Sequence, residues 1–176
     1  TMQFEFRPGP LLGNIILADE INRTSPKTQS ALLEGMGEAS VTIDGNTINI
    51  PQPFFVMATQ NPIEYEGTYP LPEAQLDRFL LKIQMGYPSQ DEEMDVLRRA
   101  ENSTPIQSVQ PVVTAEQVLK MQELVQQVHV EDNVKFYIVQ LSRATREDSR
   151  VYLGVSPRAS IALMKAAQAY AFIKGR

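Results

Sequence analysis

Two pairs of polar side chains stand at the ends of apolar runs. Asp19 and Glu20 follow directly on Ile15, Ile16, Leu17 and Ala18 in NIILADEINR, and Gln60 and Asn61 lie just past Phe54 to Ala58 in FFVMATQNP. If the two runs are neighbouring parallel strands, the four side chains converge on one sheet edge at a strand spacing of about 4.8 Å. Open parallel sheets collect ligands outside the carboxyl ends of their strands. A carboxylate there can hold Mg²⁺, directly or through water. A second can accept a proton from an attacking water, and a neutral amide can orient that water or a phosphate oxygen. This set suits phosphoryl transfer, where positioning and charge neutralisation carry most of the catalysis. The plainer alternative is that Asp19-Glu20 caps a turn and that Asn61-Pro62 forms one.

Two arginines stand apart. Arg78 ends a helix expected from Glu73 to about Arg78 in PLPEAQLDRFLLKI, which delivers into the strand-like LLKI. A helix feeding a parallel strand ends at the edge opposite Asp19 and Asn61, so Arg78 could serve a neighbouring subunit's site more easily than its own. The alternative is an arginine paired with Asp77 or with a helix carboxyl end, favourable by roughly a few tenths of a kcal/mol. Arg158 is the second residue after Ser156, where a helix dipole disfavours a cation by about 0.3–1 kcal/mol. Either a nearby anion or a side chain leaning into solvent accounts for it.

The elements that must position these residues divide the chain in two. Up to about Met85, short strands alternate with helices and loops. FEF is a strand stopped by RPGP, and the unbroken NIILA and FFVMA read as strands covered on both faces. LLKIQ (Leu80 to Gln84) reads as a further strand. Ser25-Pro26 opens a helix through KTQSALLEGM, with Ser as cap and Pro at the first helical position. In SVTIDGNTINI, apolar residues alternate around Asp44-Gly45-Asn46, a hairpin pattern. Beyond Tyr87-Pro88 the chain is helical. Ser89 to Glu92 and Thr114 to Gln117 match the capping box, and Val118, Met121, Val125 and Val128 form a stripe at helical spacing. NVKFYIVQLSRATRE continues as a helix, ENSTPIQSVQPVV is a polar link, and Ser156-Pro157 opens a last helix through Ile173.

Composition narrows the chemistry. The 176 residues are 43% hydrophobic and 21% charged, in the range of a soluble globular protein. A net charge of −5 argues against a nucleic-acid or anionic-membrane surface. With no cysteine there is no disulfide, thiolate metal site or thiol nucleophile, and a single histidine, His129, argues against a hydrolytic triad. No apolar run approaches the roughly 20 residues of a membrane span. TMQFEFRPGP lacks the basic-then-apolar order of a secretory signal, so the expected location is cytoplasmic.

With these residues in place a family resemblance is visible. GNIILADEINR resembles the Walker B segment of AAA+ ATPases, FFVMATQNPIEYEGTYPLPEAQLDRFLLKI resembles the sensor-1 strand followed by the arginine-finger helix, and GVSPRA is similar to the sensor-2 motif of the helical lid. The wording of these motifs, with PKTQSALLE, points to the MoxR subfamily. The resemblance runs from about Phe4 to the end of the chain. It implies an α/β fold: a partial AAA+ P-loop core of parallel sheet and helices over residues 1–86, then an all-α lid over 87–176.

It also implies that Asp19 supports Mg²⁺, Glu20 polarises the attacking water and Asn61 is sensor 1. Arg78 would be the finger given to the adjacent subunit, and Arg158 would be sensor 2 on the nucleotide phosphate. FEFRPGP looks like the return strand of the insert in helix 2, and the hairpin would face the ring's centre or a client. The implied cofactors are ATP and Mg²⁺. The implied partners are the other subunits of a homo-oligomeric ring, typically a hexamer in such proteins, and a client, because MoxR-type proteins act as chaperones in assembling metalloenzymes and other complexes.

Two departures qualify the resemblance. No G-x-x-x-x-G-K-[ST] occurs, and no Gly is followed by Lys. That phosphate-cradling loop lies upstream of the helix-2 insert in the family, so the chain looks like a member cut inside the insert, expected to be nearly inactive alone. Gly35 and Gly37 also stand where the family has Ala and an acidic residue, at about 1–2 kcal/mol of helix propensity, so the helix is expected to end early. Against the ATPase reading stand a nucleotide-independent assembly module and a different Mg²⁺-dependent hydrolase; the latter requires further acids near Asp19 and Glu20.

Overall fold

The computed structural model describes residues 9–43, 45–61, 67–101 and 109–176. The expected FEF strand, Asp44 of the hairpin turn and part of the polar link lie outside the described residues.

The first half is built on two parallel strands, β1 (Ile15–Ala18) and β4 (Phe55–Ala58), paired from Ile15–Phe55 to Ala18–Ala58. Between them in sequence come helix α1 (Pro26–Glu38) and the antiparallel hairpin β2 (Ser40–Ile43) and β3 (Asn46–Asn49). Ile16, Ala18, Val56 and Ala58 pack on one side against Leu32 and Leu33 of α1, together with Ile21 and Leu71. The other side differs from the expectation of burial on both faces. Ile15 is 69% and Leu17 63% exposed, and Phe55 and Met57 also face outward. Adjacent strand residues point to opposite faces, and among the described residues only one face has a layer over it.

Three further expectations need correction or refinement. LLKIQ is not a strand: Leu80, Leu81 and Ile83 lie in irregular, exposed chain. A strand exists only as part of a ladder, and no described strand pairs with this segment. The helix before it, α2 (Glu73–Leu76), is a single turn closed by bonds from Arg78 N–H to Gln75 and Phe79 N–H to Leu76. Helix α1 does not end early but runs through both glycines to Glu38. A Cβ on Gly35 would stand 2.7 Å from Ile50 Cδ1, and one on Gly37 3.3 Å from Arg78 Nη1. The glycines let the hairpin's end and Arg78 approach the helix, and packing offsets their poor propensity.

The second half is α3 (Gln90–Glu101), α4 (Ala115–Gln126), α5 (Asp132–Glu147) and α6 (Pro157–Ile173). Their starts follow the local chemistry. Ser89 and Glu92 exchange bonds at the head of α3, Thr114 and Gln117 form a complete capping box on α4, and Ser156 caps α6 by accepting from Ala159 N–H. Helices α5 and α6 pack through Ser160, whose hydroxyl donates to the buried Ser142 hydroxyl at 2.8 Å. Gln168 on α6 donates to Val128 carbonyl beyond α4 at 2.7 Å. Of the apolar stripe on α4, Val118, Val125 and Val128 are half-buried and Met121 is exposed. No helix among the described residues is long and apolar enough to cross a membrane.

Candidate active site

Parallel register brings the two strand ends together. Because Ala18 lies opposite Ala58, the next residues, Asp19 and Thr59, leave the sheet side by side. The backbones stay joined for one more step: Thr59 N–H donates to Ala18 carbonyl and Ile21 N–H to Thr59 carbonyl, both at 3.0 Å. The Thr59 hydroxyl then ties both acids. It donates to Asp19 Oδ1 at 2.5 Å and accepts from Glu20 N–H at 2.8 Å. Glu20 adopts a left-handed backbone, φ 48° and ψ 52°, a conformation rare for a side-chain-bearing residue and one that clusters at functional sites. That turn lifts the Glu20 side chain out of the strand's alternation. Its Oε2 accepts from Arg23 Nη1 at 3.0 Å, an exposed pair of a kind worth about 0–1 kcal/mol and therefore easily exchanged.

Asn61 is joined to the same tip from behind. The buried Asn22 donates through Nδ2 to Asn61 carbonyl at 3.2 Å, and its Oδ1 has no partner among the described residues. Below it, buried Gln29 on α1 donates to the carbonyls of Ile21 (3.1 Å) and Tyr69 (2.8 Å). Tyr69 N–H donates to Asn22 carbonyl at 2.6 Å. The turn that carries Glu20 is thus pinned to helix, strand and following loop. Gln60 is exposed.

The arginines lie elsewhere. Arg78 Nη1 donates to Leu33 carbonyl at 2.6 Å, on the part of α1 that Gly37 leaves open. It is not paired with its neighbour Asp77, which instead accepts the Ser156 hydroxyl. Arg158 is exposed on the first turn of α6, and its guanidinium makes no hydrogen bond or ion pair among the described residues. The loop before it is fixed on α5: Arg146 Nε donates to Val155 carbonyl at 2.7 Å, and Val155 N–H to the Thr145 hydroxyl at 3.0 Å.

Of the residues singled out in the sequence, the structure therefore gathers Asp19, Glu20 and Asn61, and leaves Arg78 and Arg158 apart from them. Thr59 and Asn22 are not among them, and Asp77 enters the sequence reading only as a possible partner of Arg78. A signal for Thr59 existed: aligning IILADE on FVMATQ sets the threonine opposite Asp19. The oxygen donors at the tip, the Asp19 carboxylate with the Thr59 hydroxyl and Glu20 beside it, suit a hard cation. Among the described residues no group of three or more His, Cys, Asp or Glu side chains could hold a metal ion. One or two carboxylates completed by water and phosphate oxygens is the usual protein share of a Mg²⁺ site, so the donors present fit that ion.

Comparison with known proteins finds relatives along the whole chain. Residues 1–81 match the family model for the ATPase family associated with various cellular activities (AAA), and residues 143–176 match the AAA lid domain. The chain is 64% identical over its whole length to the uncharacterized protein YeaC of Bacillus subtilis, covering 55% of it. It is 46% identical over 183 aligned residues to chaperone MoxR1 of Mycobacterium tuberculosis, with 99% of this chain and 48% of that one covered. A crystal structure of a protein from Cytophaga hutchinsonii, described as a candidate ATPase, superposes with a TM-score of 0.88 at 42% identity, covering 98% of this chain and 55% of that one. The chain belongs to the MoxR family of AAA+ ATPases. It spans about half the length of the curated relatives it matches.

Proposed function

We propose that the full-length protein is a ring-forming ATPase of the MoxR type that acts as a chaperone in the assembly or activation of protein complexes, metalloproteins among them. Residues 1–86 are read as part of its nucleotide-binding core and 87–176 as its lid. The observation that carries this reading is the strand tip at which one threonine hydroxyl ties Asp19 and Glu20 beside Asn61. Mg²⁺ bound there would neutralise charge on the phosphate oxygens of ATP. Asp19 would hold it, directly or through water. Glu20, raised from the strand by its left-handed backbone, would orient and polarise the attacking water, and Asn61 would hold that water or the terminal phosphate in line. Removing an aligned donor of this sort typically costs a factor of about 10²–10³ in rate.

Arg78 serves the neighbouring subunit in this reading, which agrees with its place on α1 away from the tip. Arg158 contacts nucleotide phosphate from the lid. The phosphate-cradling loop is not among these 176 residues, so turnover is assigned to the full-length protein and this stretch alone is expected to be nearly inactive.

The test is ATP hydrolysis by the full-length protein as a function of Mg²⁺. The reading expects Mg²⁺-dependent turnover, with Asp19→Asn requiring more Mg²⁺ to reach half its maximal rate. No hydrolysis at any Mg²⁺ concentration, or an unchanged requirement in the variant, would overturn it.

A further inference from the structure

The contact between Asp77 and Ser156 joins residues far apart in the chain and belongs to neither half alone. The Ser156 hydroxyl donates to both carboxylate oxygens of Asp77, at 2.7 and 3.0 Å, while accepting from Ala159 N–H at 3.1 Å. One hydroxyl thus caps α6 and fastens it to α2. Both side chains are half-buried. A carboxylate brought up against this helix start also supplies the negative charge that the dipole favours there, in the turn where Arg158 adds an unfavourable cation. On the other side of Asp77, Arg78 is fixed to α1 through Leu33 carbonyl. Two consecutive residues therefore grip two different bodies, Arg78 the core helix and Asp77 the lid helix.

We infer that Asp77 is a positioning residue: through the Ser156 hydroxyl it holds α6, and with it Arg158, in fixed relation to the core. The inference rests on the ATPase reading for its consequence in turnover, but not for the contact itself.

The bond can be broken and remade without removing the helix cap. Asp is as good an N-cap as Ser, so Ser156→Asp keeps α6 capped but sets a carboxylate against Asp77. Adding Asp77→Asn restores a bond with donor and acceptor exchanged. Spin labels on Ser30→Cys of α1 and Gln140→Cys of α5, both exposed positions, report the core–lid distance in the full-length protein. Asp77→Ala and Ser156→Asp are expected to broaden the distance distribution, and Asp77→Asn with Ser156→Asp to narrow it again. In turnover, the two single variants should raise the KM for ATP by roughly fivefold or more, the scale of an ordinary coupling between sites, with the paired variant recovering. A distribution unchanged by either single variant, or broadened and not recovered in the pair, overturns the inference. Recovery of the distribution in a protein that hydrolyses no ATP would sustain Asp77's role and remove the ATPase reading instead.

Discussion

At the scale of single residues, Thr59 joins both acids of the strand tip through one hydroxyl. Thr59→Val keeps the shape and the strand preference but removes the bond to Asp19 and the acceptor for Glu20 N–H. Loss of a hydrogen bond to a charged group is worth about 1.5–3 kcal/mol, so turnover in the full-length protein should fall roughly 10- to 100-fold. Thr59→Ser should retain most of it. Equal rates in all three forms would show that the hydroxyl does not position the acids. Gly154 makes a separate prediction about stability, because a Cβ there would stand 2.7 Å from Arg146 Cα, a backbone atom that cannot swing aside. Gly154→Ala should cost about 1–3 kcal/mol, read as a lower thermal midpoint. Asp19, Glu20 and Asn61 were legible in the sequence because an apolar run that stops on polar side chains marks a strand's end. Thr59 was harder to read, since its role depends on strand register, and the partner of a strand is not written in its own period.

At the scale of elements, the helix starts were legible and the sheet was legible only in part. Caps are local: Ser25, Ser89, Thr114 and Ser156 each bond within the next three residues, so a short window of sequence contains the whole interaction. Thr114→Ala should therefore cost about 0.5–2 kcal/mol, read as lost helicity and earlier unfolding of the α4 region. Glu92 gives a pH dependence. Its carboxyl accepts from Ser89 N–H and the Ser89 hydroxyl, which hold it below its ordinary value, the backbone bond foremost. The group is lower in the folded state, so its contribution is present above the unfolded value and lost as pH falls through the folded one. Amide protection in the first turn of α3, corrected for the intrinsic pH dependence of exchange, should fall in that acid window and not on the alkaline side. LLKIQ misled because its composition is that of a strand while strand formation needs a partner. Gly35 and Gly37 misled for the opposite reason: their helix cost is local, and the packing of Ile50 and Arg78 that offsets it is not.

At the scale of the whole molecule, the chain exposes 14955 Å², where a compact monomer of its 19.7 kDa would expose about 8,600 Å². Part of that surplus is the bare face of β1 and β4, apolar surface with no layer over it among the described residues. The expectation of burial on both faces fails here, because Ile15, Leu17, Phe55 and Met57 stay exposed. Arg78 is intelligible only at this scale. If it completes the site of a neighbouring subunit, Arg78→Ala should lower turnover strongly in uniform rings. Mixing it with Glu20→Gln subunits should restore part of the activity, since each supplies what the other lacks. Mixtures no more active than either variant alone would place Arg78's effect within its own subunit.

In the proposed ATPase, Glu20 at the strand tip polarises the attacking water. The most direct test of that role is to measure ATP binding and ATP turnover together in the full-length protein carrying Glu20→Gln. The amide keeps the size and the left-handed turn while losing the basic oxygen, so ATP binding close to wild type with turnover abolished is the expected result. Turnover near the wild-type rate would contradict it and remove Glu20 from the chemistry.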